Sequence, residues 1–155
     1  MTRASARLRV TQLVPGKRER VYQAFADPRL AKKWCPDGCR VVSFKADMRV
    51  GGTFRQAMNC GGDVHTAHGV YRKITPDRAV VFTHQWREEH PVETLVSVEF
   101  KDQKSGTEIV LVQTGFSDAS EARGHKKGWS SALKNFAEVY AAENRHSRRE
   151  QNLTR

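Results

Sequence analysis

GWSSALKNFAEVY, residues Gly128–Tyr140, is the stretch whose reading decides the fold. Trp129, Leu133, Phe136 and Tyr140 recur at i, i+4, i+7 and i+11, a single apolar stripe on a helix that the pattern carries to about Asn144. The stretch opens on a glycine set against a tryptophan, and a glycine in a helix costs about 1 kcal/mol relative to alanine. The reading adopted is that a neighbouring element approaches so closely at Gly128 that only hydrogen fits. Alanine there is therefore expected to destabilise the chain. Trp129 is read as core in preference to a platform for a ligand.

A helix with one apolar stripe needs a surface to cover, and the residues before it supply one. From Arg40 to Thr114 the period is two. Val42, Phe44 and Ala46 alternate with polar neighbours, Gly51-Gly52 turns, Phe54, Gln56 and Met58 alternate again, and Cys60-Gly61-Gly62-Asp63 turns. Val64 to Thr75 runs to a turn at Pro76-Asp77. Val80, Phe82, His84 and Trp86 then share a face, as do Thr94, Val96, Val98 and Phe100, and finally Ile109, Leu111 and Gln113. Strands joined by so few residues cannot be parallel, because a parallel crossover needs about a dozen.

Upstream, Leu8-x-Val10-x-x-Leu13 is a short strand ended by Pro15-Gly16, and Lys17–Ala26 places Val21, Tyr22 and Phe25 at helical spacing. Asp27-Pro28 stops that helix and starts a second short one through Leu30 and Trp34, since proline suits a first turn and aspartate can cap it. The order is strand, two helices, six strands, long helix. The fold class is thus α+β, with an antiparallel sheet of about seven strands covered on one face by the terminal helix.

The 155 residues suit one domain. No apolar run approaches the ~18 residues of a membrane span, and Met1–Val10 lacks the apolar stretch of a secretory signal. No membrane association or export is expected. Three cysteines, an odd number, do not describe a disulfide framework, so ordinary thiols in a reducing cytoplasm are expected. Of the net charge of +10, residues 1–9 and 144–155 carry +3 each, leaving +4 for the body. Segments 1–6 and 144–155 read as solvated basic tails around a single domain at 7–143. A nucleic-acid partner is not expected, because none of the recognised binding patterns accompanies the charge.

Trp34-Cys-Pro-x-Gly38, Gly51-Gly52-x-Phe54, His68-Gly69-x-Tyr71-x-x-Ile74-x-Pro76, Val81-Phe82-Thr83, Gly106-Thr107, Gln113-Thr-Gly-Phe116 and Gly128-Trp129-x-x-x-Leu133 follow one another in this order. The set resembles the bacterial branch named for the activator of the ninety-kilodalton heat-shock chaperone's ATPase, within the START-like (SRPBCC) superfamily. The resemblance covers roughly residues 7–143. It implies a helix-grip (Bet v 1-like) fold: a curved antiparallel sheet wrapped round the C-terminal helix, with a cavity between them. Cys35 stands where that family often has an aromatic residue, and Cys39 and Cys60 lie outside its pattern.

Candidate chemistry is sparse. Cys35-x-x-x-Cys39 with Cys60 and one of His65, His68 or His84 could in principle hold zinc, yet no second paired motif accompanies it, so no metal or other cofactor is expected. His65 and His68 lie on opposite faces of a strand; an inward His65 would share its pleat with Ala67, Gly69 and Tyr71. No nucleophile triad order, phosphate loop, dinucleotide fingerprint or carboxylate pair is present, and no catalytic residue is assigned.

What remains is the cavity. Its candidate walls are Trp34, Phe54, Met58, Tyr71, Phe82, Trp86, Val96, Val98, Leu111, Trp129, Leu133 and Phe136, with Gln56, His65, His84 and Gln113 as the few polar contacts. The reading preferred is a non-enzymatic protein that holds an unidentified hydrophobic or amphipathic small molecule between sheet and helix. A cyclase/aromatase- or hydrolase-like enzyme using the same cavity is the second reading. A chaperone-regulating interaction module is the third, ranked last because the activators of that name pair this domain with another for which 155 residues leave no room. A homodimer is left open.

Overall fold

The computed structural model describes residues 6–87 and 92–153. The chain runs β1 (Ala6–Val14), α1 (Arg18–Ala26), α2 (Pro28–Ala31), β2 (Cys39–Ala46), β3 (Thr53–Cys60), β4 (Asp63–Thr75), β5 (Ala79–Trp86), β6 (Thr94–Gln103), β7 (Gly106–Phe116) and α3 (Ala119–Leu153). Among the described residues the strands form one curved antiparallel sheet in the order β1-β7-β6-β5-β4-β3-β2. This is the helix-grip arrangement that the family resemblance implies, with the period-two strands in the sheet and the terminal apolar stripe facing it. No helix among the described residues is long and apolar enough to cross a membrane.

Local chemistry sets the element boundaries. Pro28 begins α2, and the Asp27 carboxylate accepts from the Arg29 N–H at 2.8 Å, closing the helix start. Gly61 and Gly62, at φ of 66° and 102°, make the two-residue turn between β3 and β4 that a side chain would strain. The inward faces of β5, β6 and β7 run Val80-Phe82-His84, Val96-Val98-Phe100 and Ile109-Leu111-Gln113, all buried. The stripe of α3 meets them: Leu133 and Phe136 are wholly buried, and Tyr140 is 6% exposed.

Three expectations are corrected. First, Val42 does not face inward with Phe44 and Ala46, because the register slips between Val41 and Ser43; the bulge turns Val42 outward, 52% exposed. Second, α3 does not end near Asn144 but continues to Leu153, so most of the basic C-terminal segment is helical, with Arg145, Arg148 and Arg149 exposed. Residues 1–5 and 154–155 of the expected tails lie outside the described residues. Third, two of the three cysteines are not thiols. The β2–β3 register sets Cys39 opposite Cys60, with Cα atoms 4.2 Å apart, and they form a disulfide across the hairpin end. Cys35 remains free. The odd cysteine count therefore no longer argues for a reducing compartment.

Gly69 is among the glycines fixed by close approach. A Cβ on Gly69 would overlap the Thr83 carbonyl oxygen on β5 and press within 2.6 Å of the Phe54 ring on β3. Since the first obstacle is backbone, no rotamer change relieves it. Gly69→Ala is expected to lower stability by at least the 1–3 kcal/mol typical of overpacking, read as a lower urea midpoint with an unchanged slope.

Candidate functional site

Between the sheet and α3 the chain leaves a half-open cavity of about 530 Å³. Its floor is the inward face of β3, β4 and β5, its far wall β2 and the α2–β2 loop, and its near wall the first turns of α3. Of the residues proposed from sequence, Trp34, Phe54, Gln56, Met58, His65, Tyr71, Phe82, His84, Trp86 and Trp129 line it. Val96, Val98, Leu111, Gln113, Leu133 and Phe136 do not; each is fully buried beneath α3 and packs as core. Trp129, partly buried, both packs against the core and stands in the cavity wall.

The sequence reading missed several lining residues. Phe25, Phe44, Ala46 and Met48 contribute to the deep end, and Glu121, Gly124, His125, Gly128 and Ala132 form the α3 wall. The last group carried a legible signal. Stepping back from Trp129 by one turn gives His125 and by two gives Glu121, on the same helix face.

Gly128 sits in that wall, but not for the reason expected. A Cβ there would meet only Pro36 Cγ, at 3.8 Å, an ordinary van der Waals contact, and a Cβ on Gly124 would meet nothing within 4 Å. The helix is not pressed against a neighbour at either position. The two glycines keep side chains out of the space between α3 and the α2–β2 loop. That loop is itself latched to α3: Ser131 Oγ accepts from the Asp37 N–H at 3.0 Å, and Asn135 Nδ2 donates to the Cys35 carbonyl and the Asp37 carboxylate, both at 2.9 Å.

The three tryptophans of the cavity differ in how their indole N–H groups are used. Trp129 Nε1 donates to Gln113 Oε1 at 2.7 Å, Gln113 Nε2 donates to Thr94 Oγ1 at 2.8 Å, and Thr94 Oγ1 donates to the His84 carbonyl at 2.8 Å. Gln113, although outside the cavity, thus fixes the indole that faces it. Trp86 Nε1 donates to His125 Nε2 at 2.8 Å, which leaves the ring proton on His125 Nδ1, where it meets the Glu121 carbonyl at 2.8 Å. Both nitrogens of His125 are thereby occupied. Trp34 Nε1 is buried and has no partner.

His84 is enclosed by rings: Trp86 at 5.1 Å, Trp129 at 6.2 Å, Phe54 at 6.3 Å and His125 at 6.5 Å between centroids. Loss of solvation, and secondarily His125 and His68, push its pKa from 6.5 down to about 3. Neither of its ring nitrogens has a hydrogen-bond partner among the described residues. Tyr71, 5% exposed, is pushed up from 10.0 to about 12 by burial, with Asp47 and Tyr22 adding to it. Cys35 donates to the Cys39 carbonyl at 3.0 Å; burial raises its pKa, against the Val41 backbone hydrogen bond and with Asp37, so it is no activated thiolate.

Two outcomes follow. Gly128→Ala should stabilise the protein by about 0.4–1 kcal/mol, since alanine has room and the better helix propensity; a lowered urea midpoint would contradict this geometry. The second concerns pH. Below pH 6.5 the unfolded chain protonates His84 and the folded chain does not, so stability from this residue falls as pH drops from about 6.5 towards about 3. The slope is about 1.4 kcal/mol per pH unit at its steepest. The stability difference between wild type and His84→Gln should therefore shrink from pH 7 to pH 4.5, and a constant difference would refute the buried neutral imidazole.

Comparison with known proteins follows the geometry. The family model described as Activator of Hsp90 ATPase homolog 1-like protein matches residues 15–141. No curated protein matches the chain. Among solved structures, a protein from Chromobacterium violaceum is 27% identical, with 86% of this chain and 96% of that chain covered and a TM-score of 0.77. An AHSA1 protein from Silicibacter pomeroyi is 23% identical, with 89% and 99% covered and a TM-score of 0.78. A protein from Rhizobium leguminosarum is 20% identical, with 89% and 95% covered and a TM-score of 0.75.

Proposed function

The chain belongs to the Activator of Hsp90 ATPase homolog 1-like family, matched over residues 15–141, and from that premise we propose that it binds a hydrophobic or amphipathic small molecule between its sheet and α3. The observation that carries this reading is the cavity: about 530 Å³, walled by aromatic and aliphatic side chains, with a few polar residues among them. Sites for small molecules span roughly 300–1,000 Å³ and have this makeup. Gly124 and Gly128 support it further, because glycines inside a helix weaken it and here leave open the space between α3 and the facing loop.

The catalytic reading is weaker on the same residues. An acid or base works best with a pKa near the operating pH. His84 at about 3 is a poor base and Tyr71 at about 12 a poor acid, so both serve better as fixed neutral hydrogen-bonding groups. A chaperone-regulating role would use the outer face. Among the described residues the exposed large apolar side chains are Leu13, Val42, Val50, Val64 and Leu95, and those on strands stand on β1, β2, β4 and β6, no two of which are neighbours in the sheet, so the sheet sets no two of them side by side.

The test is a thermal-shift screen of uncharged and amphipathic aromatic molecules on wild type and Gly128→Leu. A ligand at a hundred times its dissociation constant should stabilise wild type by about 2.7 kcal/mol. Gly128→Leu should retain the wild-type melting temperature without ligand and lose most of the shift with it. If no member of the screen moves wild type, or if Gly128→Leu responds equally, the cavity is not the binding site.

A further inference from the structure

The terminal helix carries a second stripe that the core does not use. Lys127, Lys134, Arg145 and Arg149 follow one another at spacings of seven, eleven and four, so they share one side of α3, with Arg148 beside them. All five are exposed, and none is in an ion pair with another described residue. The stripe runs about 33 Å along the helix. Most acids of α3 are engaged elsewhere. Glu121 accepts from the Ser117 N–H, Glu143 pairs with Arg29 and Lys33, and Glu150 pairs with His146. Glu138 is the one carboxylate of α3 on the basic side.

Packing does not account for the far end of this stripe. Tyr140 is the last residue of α3 in the core, yet the helix continues to Leu153. Arg145, His146, Arg148, Arg149 and Glu150 point to different sides of it and are all exposed, so this end stands clear of the sheet. Like charges four residues apart, as at Arg145 and Arg149, weaken a helix. The helix dipole favours cations only in the last turn, which lies beyond Arg149. Residues 1–5, 154 and 155 contain no acidic residue to pair with the stripe. Glu88 and Glu89 stand between Arg87 and Val92 in the sequence, and β5 meets α3 at His125. Arg145 is about 30 Å farther along the helix, more than so short a segment can span.

The chemistry of the stripe narrows its partner. A helix that lies on a membrane turns an apolar face to lipid, whereas the apolar face of α3 is taken by the core and the cavity. Single-stranded nucleic acids are held largely by stacking on aromatic rings, and Trp129, Phe136 and Tyr140 all belong to that same inward face. Cations alone remain, and three of the five are guanidinium forks, which match phosphate bidentately. The clear end of α3, about 10–12 Å across, fits the roughly 12 Å major groove of B-form DNA between its two rows of phosphates. The major groove of duplex RNA is too narrow to admit it. No base-reading motif accompanies the charge, so the contacts are to phosphates.

We propose that the outward side of α3, from Lys127 to Arg149, is a site for duplex DNA that holds the phosphate backbone without regard to sequence. The site is separate from the cavity, and its clear end at Arg145, Arg148 and Arg149 is the anchor.

The experiment titrates the full chain into a fluorescein-labelled DNA duplex of arbitrary sequence and reads anisotropy across a series of salt concentrations. Affinity should fall at least about a hundredfold between about 50 and 200 mM salt, as four or more phosphate contacts require. Arg145→Gln/Arg148→Gln/Arg149→Gln should weaken binding at least about tenfold and make the slope of log affinity against log salt shallower by about 2.7. The control, Lys45→Gln/Arg55→Gln/Lys73→Gln, removes the same charge from exposed positions on β2, β3 and β4 and should leave that slope unchanged. Equal losses in the two variants would assign binding to net charge and overturn the site. Absence of duplex binding at about 50 mM salt would overturn it as well. So would tighter binding of the single strand, of a duplex RNA, or of phosphatidylserine vesicles at matched phosphate concentration. Urea midpoints check that each variant folds. Lys127→Gln/Lys134→Gln, on the part of α3 docked to the sheet, gives a second reading should the arginine variant fray: its slope should be shallower by about 1.8, and an unchanged slope would remove α3 as the site.

Discussion

One helix is asked to cover a sheet that is too wide for it. Seven strands at about 4.8 Å spacing make a surface roughly 29 Å across, whereas a helix with its side chains is about 10–12 Å in diameter. α3 packs most heavily along β1, with lighter contact to β7, at one edge of the sheet. Its stripe of Leu133, Phe136 and Tyr140 closes the core there, with α1 packed against β6 and β7. Among the described residues α3 packs far less closely over β3, β4 and β5, reaching β5 through His125 and Trp129, and the cavity lies in that gap. The void is thus a consequence of element widths and strand order, not of any single residue.

This geometry explains which parts of the sequence were legible. The two periodicities reveal which side of each strand faces inward, so strand order of appearance, antiparallel pairing and the covering helix all follow from residues such as Val96, Val98, Leu111 and Phe136. Periodicity does not reveal what lies above an inward residue. Val96 on β6 and Phe82 on β5 are direct cross-strand partners on the same face and read identically in sequence, yet Val96 sits in packed core and Phe82 faces the cavity. The difference is lateral distance from α3. That depends on the strand order of the sheet, in which β1 returns to pair with β7 and so places the helix at one edge.

Cys39, Val42 and Gly128 were misread for related reasons. Joining residues 39 and 60 depends on the β2–β3 register, and that register contains a bulge which no propensity announces. Gly128 looked like a place of close approach because a helical glycine usually needs a reason. The reason here is the reverse: the neighbouring loop stops 3.8 Å short of where a methyl group would sit. A helical glycine can mark a contact or an opening, and only the position of the opposite wall tells which.

The distribution of charge then separates attraction from selection. A net charge of +10 gives the surface a positive field that draws anions towards the molecule from solution. That field is screened over about 8–10 Å at physiological salt, so it influences encounter and not the energetics of a buried group. Inside the cavity the balance is set by local desolvation. The same low-dielectric surroundings that hold His84 neutral would act on any charge a ligand brought in. A wall of rings and neutral donors therefore sorts molecules by what they would have to leave behind in water. An anion brought inside loses a full hydration shell, a cost that only a paired charge offsets, whereas a neutral group loses one or two weak hydrogen bonds. The basic surface and the aromatic interior are then compatible, because one governs arrival and the other residence.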